Sequence, residues 1–171
     1  MLSHTGGCVK FLGRDAAVAA GLVSYSSSAG EYSMFAESEK MAFSCGADGR
    51  NAIRLASKKV WRSSGLFSID LSHMPSGCGT WPAFWLVAAP CGVHGQCSWP
   101  IGGEIDIIEG GNLQTEALTT LHTKPGCKME PTCALYPNMT GHFARETDCN
   151  TALDGNSGCG ITGPDNPTES R

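Results

Sequence analysis

The sequence predicts an all-β, antiparallel sandwich, and three observations lead there. Glycine and proline number 22 and 9 among 171 residues, a composition suited to many turns and short strands. Residues 65–74 alternate, with Phe67, Ile69 and Leu71 on one face and Ser68, Asp70 and Ser72 on the other. That two-residue period marks an antiparallel strand with one buried face. The chain also lacks an internal repeat and a convincing amphipathic helix. Hydrophobic residues make up 41% of the chain, enough for one core, and the length suits one domain or part of a larger one.

Taken in order, residues 22–25 and 32–37 flank the turn cluster Ser26-Ser27-Ser28-Ala29-Gly30 and predict a hairpin. A strand over 52–60 follows the turn-like Gly46-Ala47-Asp48-Gly49, and the alternating 65–74 comes next. Residues 80–88 are aromatic-rich, with Pro82 placing an edge or bulge near the start. Residues 103–111 are bounded by glycines, and 116–123 alternate threonine with leucine. From Lys124 onward the periodicity dissolves into a Cys-, Gly- and Pro-rich stretch for which no strand is predicted. Lys10 and Arg14 precede an apolar run at 16–23, the outline of a signal peptide. Asp15 abuts that run, which is short and alanine-rich, so a cleaved signal is not the expectation.

With 12 basic and 16 acidic side chains, the net charge is 12 − 16 = −4. This leaves no basic footprint for nucleic acid or an anionic membrane, and no apolar run approaches the roughly 20 residues of a membrane span. Nine cysteines point to an oxidising compartment. The count is odd, so at least one has no partner within the chain. Cys78 lies in Ser-Gly-Cys-Gly, Cys91 and Cys97 are six apart, as are Cys127 and Cys133, and Cys149 and Cys159 are ten apart. None forms Cys-x-x-Cys, which disfavours a zinc site or redox dithiol and favours disulfide staples on loops, their connectivity open. The sequon Asn138-Met139-Thr140 agrees with an extracellular, secreted protein.

The chemistry concentrates in Glu104-Ile105-Asp106-Ile107-Ile108-Glu109. On a strand, Glu104 and Asp106 share one face and Ile105 and Ile107 the other. Strict alternation puts Glu109 opposite the acids, and a β-bulge at the adjacent isoleucines returns it to their face. Three carboxylates on one face oppose one another's ionisation, a costly arrangement in so apolar a strand. Three readings stay open on the residues alone: a solvated sheet face, the start of a calcium site, or a pair of catalytic carboxylates.

These residues and their neighbours resemble glycoside hydrolase family 16, in particular the fungal laminarinase-like endo-β-1,3(4)-glucanases. The group's Glu-x-Asp-x-x-Glu stands here at Glu104, Asp106 and Glu109. Flanking blocks match as well: Ser-Gly-Leu-Phe at 64–67, His-Met-Pro-Ser-Gly-Cys-Gly-Thr-Trp-Pro-Ala-Phe-Trp at 73–85, and Thr-Leu-His-Thr at 120–123. The resemblance implies a jelly-roll, concanavalin A-like sandwich with a groove across its concave sheet. It implies retaining hydrolysis of β-1,3- or mixed β-1,3/1,4-glucan by double displacement, with Glu104 as nucleophile and Glu109 as general acid/base. Asp106 would position the nucleophile between them. No cofactor is implied; a structural calcium is left open without ligands assigned.

Indole faces stack on sugar rings. Trp99, in the loop entering the acidic strand, is expected to be a sugar platform. Trp81 and Trp85, four apart, share a strand face, with core packing the competing reading for Trp81. His122 corresponds to a histidine that lines the groove in the family. Family catalytic domains are longer than this chain, so the whole of 1–171 is expected to be one partial catalytic domain, without its C-terminal strands and part of its N-terminal portion. The segment 87–98 looks longer than the usual connection there. The expected partner is β-glucan, with no nucleic acid and no membrane, and the protein is expected to be a monomer. A carbohydrate-binding jelly roll without catalysis and a transglycosylase of the same family are the alternatives.

Overall fold

Strands form where the alternating pattern meets a partner strand. The computed structural model of the chain describes residues 9–38, 49–62, 64–88, 99–130, 142–143, 147–153 and 155–163. Two units divide at residue 59.

In the first unit, β1 (Val9–Phe11) pairs in parallel with β4 (Arg50–Ala52). Between them lie α1 (Arg14–Ala19) and the antiparallel pair β2 (Val23–Ser26) and β3 (Glu31–Met34). That pair is the predicted hairpin, closed by Gly30 at φ 70° and faced by Tyr25 and Tyr32, whose rings lie 4.5 Å apart. Ala17 and Leu22 are buried, and the Asn51 backbone and side-chain amides donate to the two oxygens of Glu37. The apolar run at 16–23 therefore belongs to the fold, as most of a helix and the start of β2. The helix escaped prediction because six residues are too few to display a 3.6-residue period, although alanine is the strongest helix former. The strand expected over 52–60 is corrected: β4 ends at Ala52, where its match with β1 ends, and the Ser57 hydroxyl turns back to the Lys59 carbonyl.

The second unit holds β5 (Ala83–Val87), β6 (Glu104–Glu109), β7 (Leu118–His122), β8 (His142–Phe143) and β9 (Cys159–Thr162). They form one antiparallel sheet in the order β5-β6-β7-β9-β8, which places the acidic strand between β5 and β7. The strand expected over 65–74 is a second correction. It joins no ladder among the described residues, and Leu66, Ile69 and Leu71 are 93%, 41% and 42% exposed. Alternation supplies a face but not the hydrogen-bonding neighbour a strand requires.

Strand β9 lies in the stretch for which none was predicted. Its residues are Cys-Gly-Ile-Thr, too short and too glycine-rich to signal alone, and pairing with β7 makes it a strand. A disulfide joins Cys149 to Cys159, both fully buried, so one of the expected staples is present. Cys127 is a free thiol. Cys91, Cys97, Cys133 and the sequon at 138–140 lie outside the described residues, as does most of the 87–98 segment. No helix among the described residues is long and apolar enough to cross a membrane.

Candidate active site

The site is built by a break in register. On β6, Glu104 pairs with Val87 of β5 and His122 of β7, and Asp106 pairs with Trp85 and Thr120. Glu109 then pairs with Ala83 and Leu118, and Ile107 is skipped in both ladders. Ile107 is thus the extra residue of a β-bulge, at the adjacent isoleucines where the sequence places it. The Thr119 hydroxyl donates to the Ile107 carbonyl at 2.9 Å, satisfying a group the bulge takes out of the ladder. Directly paired residues share a face, so Glu104, Asp106 and Glu109 stand together with Trp85, Thr120 and His122.

Each glutamate is held by an indole. Trp99 Nε1 donates to Glu104 Oε2 at 2.9 Å, and Trp81 Nε1 donates to Glu109 Oε2 at 3.0 Å. The other Glu109 oxygen, Oε1, accepts from the buried Thr120 hydroxyl at 2.6 Å. Core packing is excluded for Trp81, which is 67% exposed. Its approach is set by the loop that follows β6. Asn112 receives the Gly79 amide on its side chain and the Gly77 amide on its carbonyl, and its own amide donates to the Thr80 carbonyl. An added Cβ at Gly111 would lie 3.0 Å from the Trp81 ring, so a glycine lets the indole lie against the backbone.

Asp106 and His122 are 3% and 7% exposed, and His122 Nε2 lies 3.1 Å from Asp106 Oδ2. Burial alone would lower the His122 pKa. The close approach and charge of Asp106, with the charges of Glu104 and Glu109, outweigh it and hold the imidazole above its ordinary 6.5. The Trp99 and His122 rings sit 5.9 Å apart, so the two face the same end of the strand as Glu104.

Glu104, Asp106 and His122 each offer a ligand atom within 4.8 Å of the others. Calcium takes about six to eight oxygen ligands, whereas this set supplies two carboxylates and an imidazole nitrogen, so these three residues do not fit calcium. The structure brings together every residue expected at the site. It adds Thr120 and Asn112, which sequence reasoning missed. Thr120 was legible in principle, two residues before His122 on an alternating strand. Asn112 gives no such signal, since its contacts come from a loop 33 residues earlier.

Residues 2–170 match the family described as "XgeA-like, catalytic GH16 domain". The chain belongs to glycoside hydrolase family 16. Its all-β class is thereby the jelly-roll sandwich of the GH16 laminarinases. It is 41% identical over 166 residues to a probable glycosidase of Schizosaccharomyces pombe, covering 96% of this chain and 35% of that protein. A probable endo-1,3(4)-beta-glucanase of Aspergillus fumigatus is 38% identical over 160 residues, covering 93% of this chain and 22% of that one. Among solved structures, GH16 Laminarinase 16A from Phanerochaete chrysosporium, with 6-O-glucosyl-laminaritriose in its donor and acceptor sites, superposes with a TM-score of 0.69 at 32% identity. An elongating GH family 16 beta-1,3-glucosyltransferase gives 0.65 at 31%. Both alignments cover 95% of this chain and 49% of the other. The chain thus spans about half of these structures and about a third or less of these curated relatives.

Proposed function

We propose that this GH16 chain carries the catalytic groups of a retaining, endo-acting hydrolase of β-1,3- or mixed β-1,3/1,4-glucan. The observation that carries the reading is the Ile107 bulge, which returns Glu109 to the face of Glu104 and Asp106 and sets each glutamate against an indole N–H. Glu109 donates a proton to the glycosidic oxygen while Glu104 attacks the anomeric carbon. The bond to the leaving sugar breaks, and an ester bond to Glu104 forms. Glu109, now a carboxylate, takes a proton from water as the water oxygen attacks the same carbon and releases Glu104. Thr120 suits both stages, because a hydroxyl can donate to an ionised carboxylate or accept from a protonated one. Asp106, beside His122, holds the middle of the acidic face. Both reacting groups are side chains, so the chemistry needs no cofactor.

The exposed Trp81 and Trp99, with Trp85 on the same sheet face, support a sugar-binding groove. The names of the A. fumigatus relative and the Phanerochaete structure support a glucan substrate. The family match through 2–170 supports one partial catalytic domain, and the buried disulfide supports an extracellular protein. Binding without catalysis is disfavoured, because holding sugar requires aromatics but not three crowded carboxylates. Transfer to a second sugar uses the same glycosyl-enzyme, and likeness to the glucosyltransferase structure keeps it as the second reading. Incubation with laminarin and barley mixed-linkage glucan, followed by product sizing, separates the outcomes. Shortened oligosaccharides indicate hydrolysis, lengthened ones transfer, and unchanged polymer on a protein that retains it would leave binding alone.

A further inference from the structure

The segment closed by the Cys149–Cys159 disulfide lies against the strand end that carries His122. The Thr123 amide donates to the Cys149 carbonyl at 2.8 Å, the Thr151 amide donates to the Thr123 carbonyl at 3.2 Å, and Thr123 bridges Asn150. On the other side of the loop, Leu121 pairs with Cys159. Gly158, one residue earlier, is buried at φ 62°. A Cβ added there would lie 2.7 Å from His122 Nδ1, 3.0 Å from its Cε1 and 2.6 Å from the Leu121 carbonyl oxygen. His122 Nδ1 is itself buried, without a hydrogen-bond partner among the described residues.

We propose that Gly158 is a positioning residue for the active site: the disulfide-closed loop sets its bare backbone against the His122 imidazole and so holds Nε2 at Asp106. The ring has β6 on one side, bringing Asp106, Glu104 and Glu109, and Gly158 on the other, bringing uncharged backbone. The loop therefore acts by contact, and the three carboxylates supply the field. A side chain at 158 drives the ring away from Asp106 or forces the loop off β7. The kinetic consequence rests on the glycosidase reading above; the imidazole position does not.

Gly155 supplies the control. It lies in the same loop at φ 58°, exposed, and an added Cβ meets nothing within 4 Å. Gly155→Ala and Gly158→Ala thus bring similar left-handed backbone strain, and Gly158→Ala alone touches His122. The experiment follows the His122 imidazole by NMR titration in the 171-residue chain, with glucan hydrolysis measured in parallel. In Gly158→Ala the midpoint moves down toward 6.5 and kcat falls on the order of tenfold or more with a smaller change in KM, while Gly155→Ala keeps both. Equal midpoints in the two variants overturn the proposal, whatever the activity. Should Gly158→Ala fail to fold, the substitution is repeated in a His122→Ala background. The conflict with the Leu121 carbonyl is common to both backgrounds, so the difference isolates the ring. A much smaller loss of Tm without the imidazole supports the proposal, and an equal loss overturns it.

Discussion

Thr120→Val separates the support of Glu109 from the packing of the sheet. Valine keeps the branched shape that suits β7 and replaces only the hydroxyl with a methyl. The lost contact is the 2.6 Å bond to Glu109 Oε1 at a residue 2% exposed, where solvent cannot readily replace it. A buried acceptor left unsatisfied costs about 1–3 kcal/mol. Glu109 keeps its bond to Trp81, so the side chain is loosened at one oxygen. If the same energy is needed to hold the acid at the scissile bond, kcat falls roughly five- to 150-fold, at a factor of ten per 1.36 kcal/mol. The assay is urea unfolding followed by tryptophan fluorescence, run as a double-mutant cycle with Glu109→Ala. Thr120→Val should cost about 1–3 kcal/mol with Glu109 present and under about 0.5 kcal/mol without it. Equal costs in the two backgrounds would refute the assignment of Thr120 as a Glu109 partner and return it to plain packing.

Glu104→Gln is expected to abolish turnover while leaving glucan affinity nearly intact, because the amide keeps the shape but cannot form the glycosyl ester; kinetics and pull-down on insoluble glucan check both. Trp99→Phe should lower kcat by removing the bond to Glu104 while retaining the ring, and Trp99→Ala should also raise KM with little change in Tm. An unchanged KM with a large Tm loss in the alanine variant would make Trp99 a packing residue. The raised His122 pKa sets a sign for stability: the folded state holds the proton more tightly than the unfolded chain. Its contribution is therefore fully present below about pH 6.5 and lost as pH rises through the folded value. Urea titrations across that window should show stability falling with pH, and His122→Gln should flatten the slope.

The acidic strand was legible because its pattern is wrong for an ordinary strand. Two adjacent isoleucines between Asp106 and Glu109 break the alternation, and a bulge is the local solution that puts three acids on one face. The strands flanking it, β5 and β7, carry their own aromatic and threonine–leucine patterns. What escaped was non-local. The stretch 65–74 has a strand's period but no neighbour to pair with among the described residues, whereas β9 has little pattern and becomes a strand through β7 and the disulfide. Trp81 read equally as core or groove, because composition cannot say that its indole N–H finds Glu109. Gly158 read as one of many loop glycines until the His122 ring beside it made the missing side chain matter.

The anomeric configuration of the first sugar released tests the central claim most directly. Glu104 as nucleophile and Glu109 as acid/base require two successive inversions at the anomeric carbon. Proton NMR of a laminarin digest, recorded before mutarotation, should show the β-anomer appearing first and the α-anomer growing in only later. The α-anomer appearing first would mean a single displacement by water, and would remove Glu104 from the role of nucleophile.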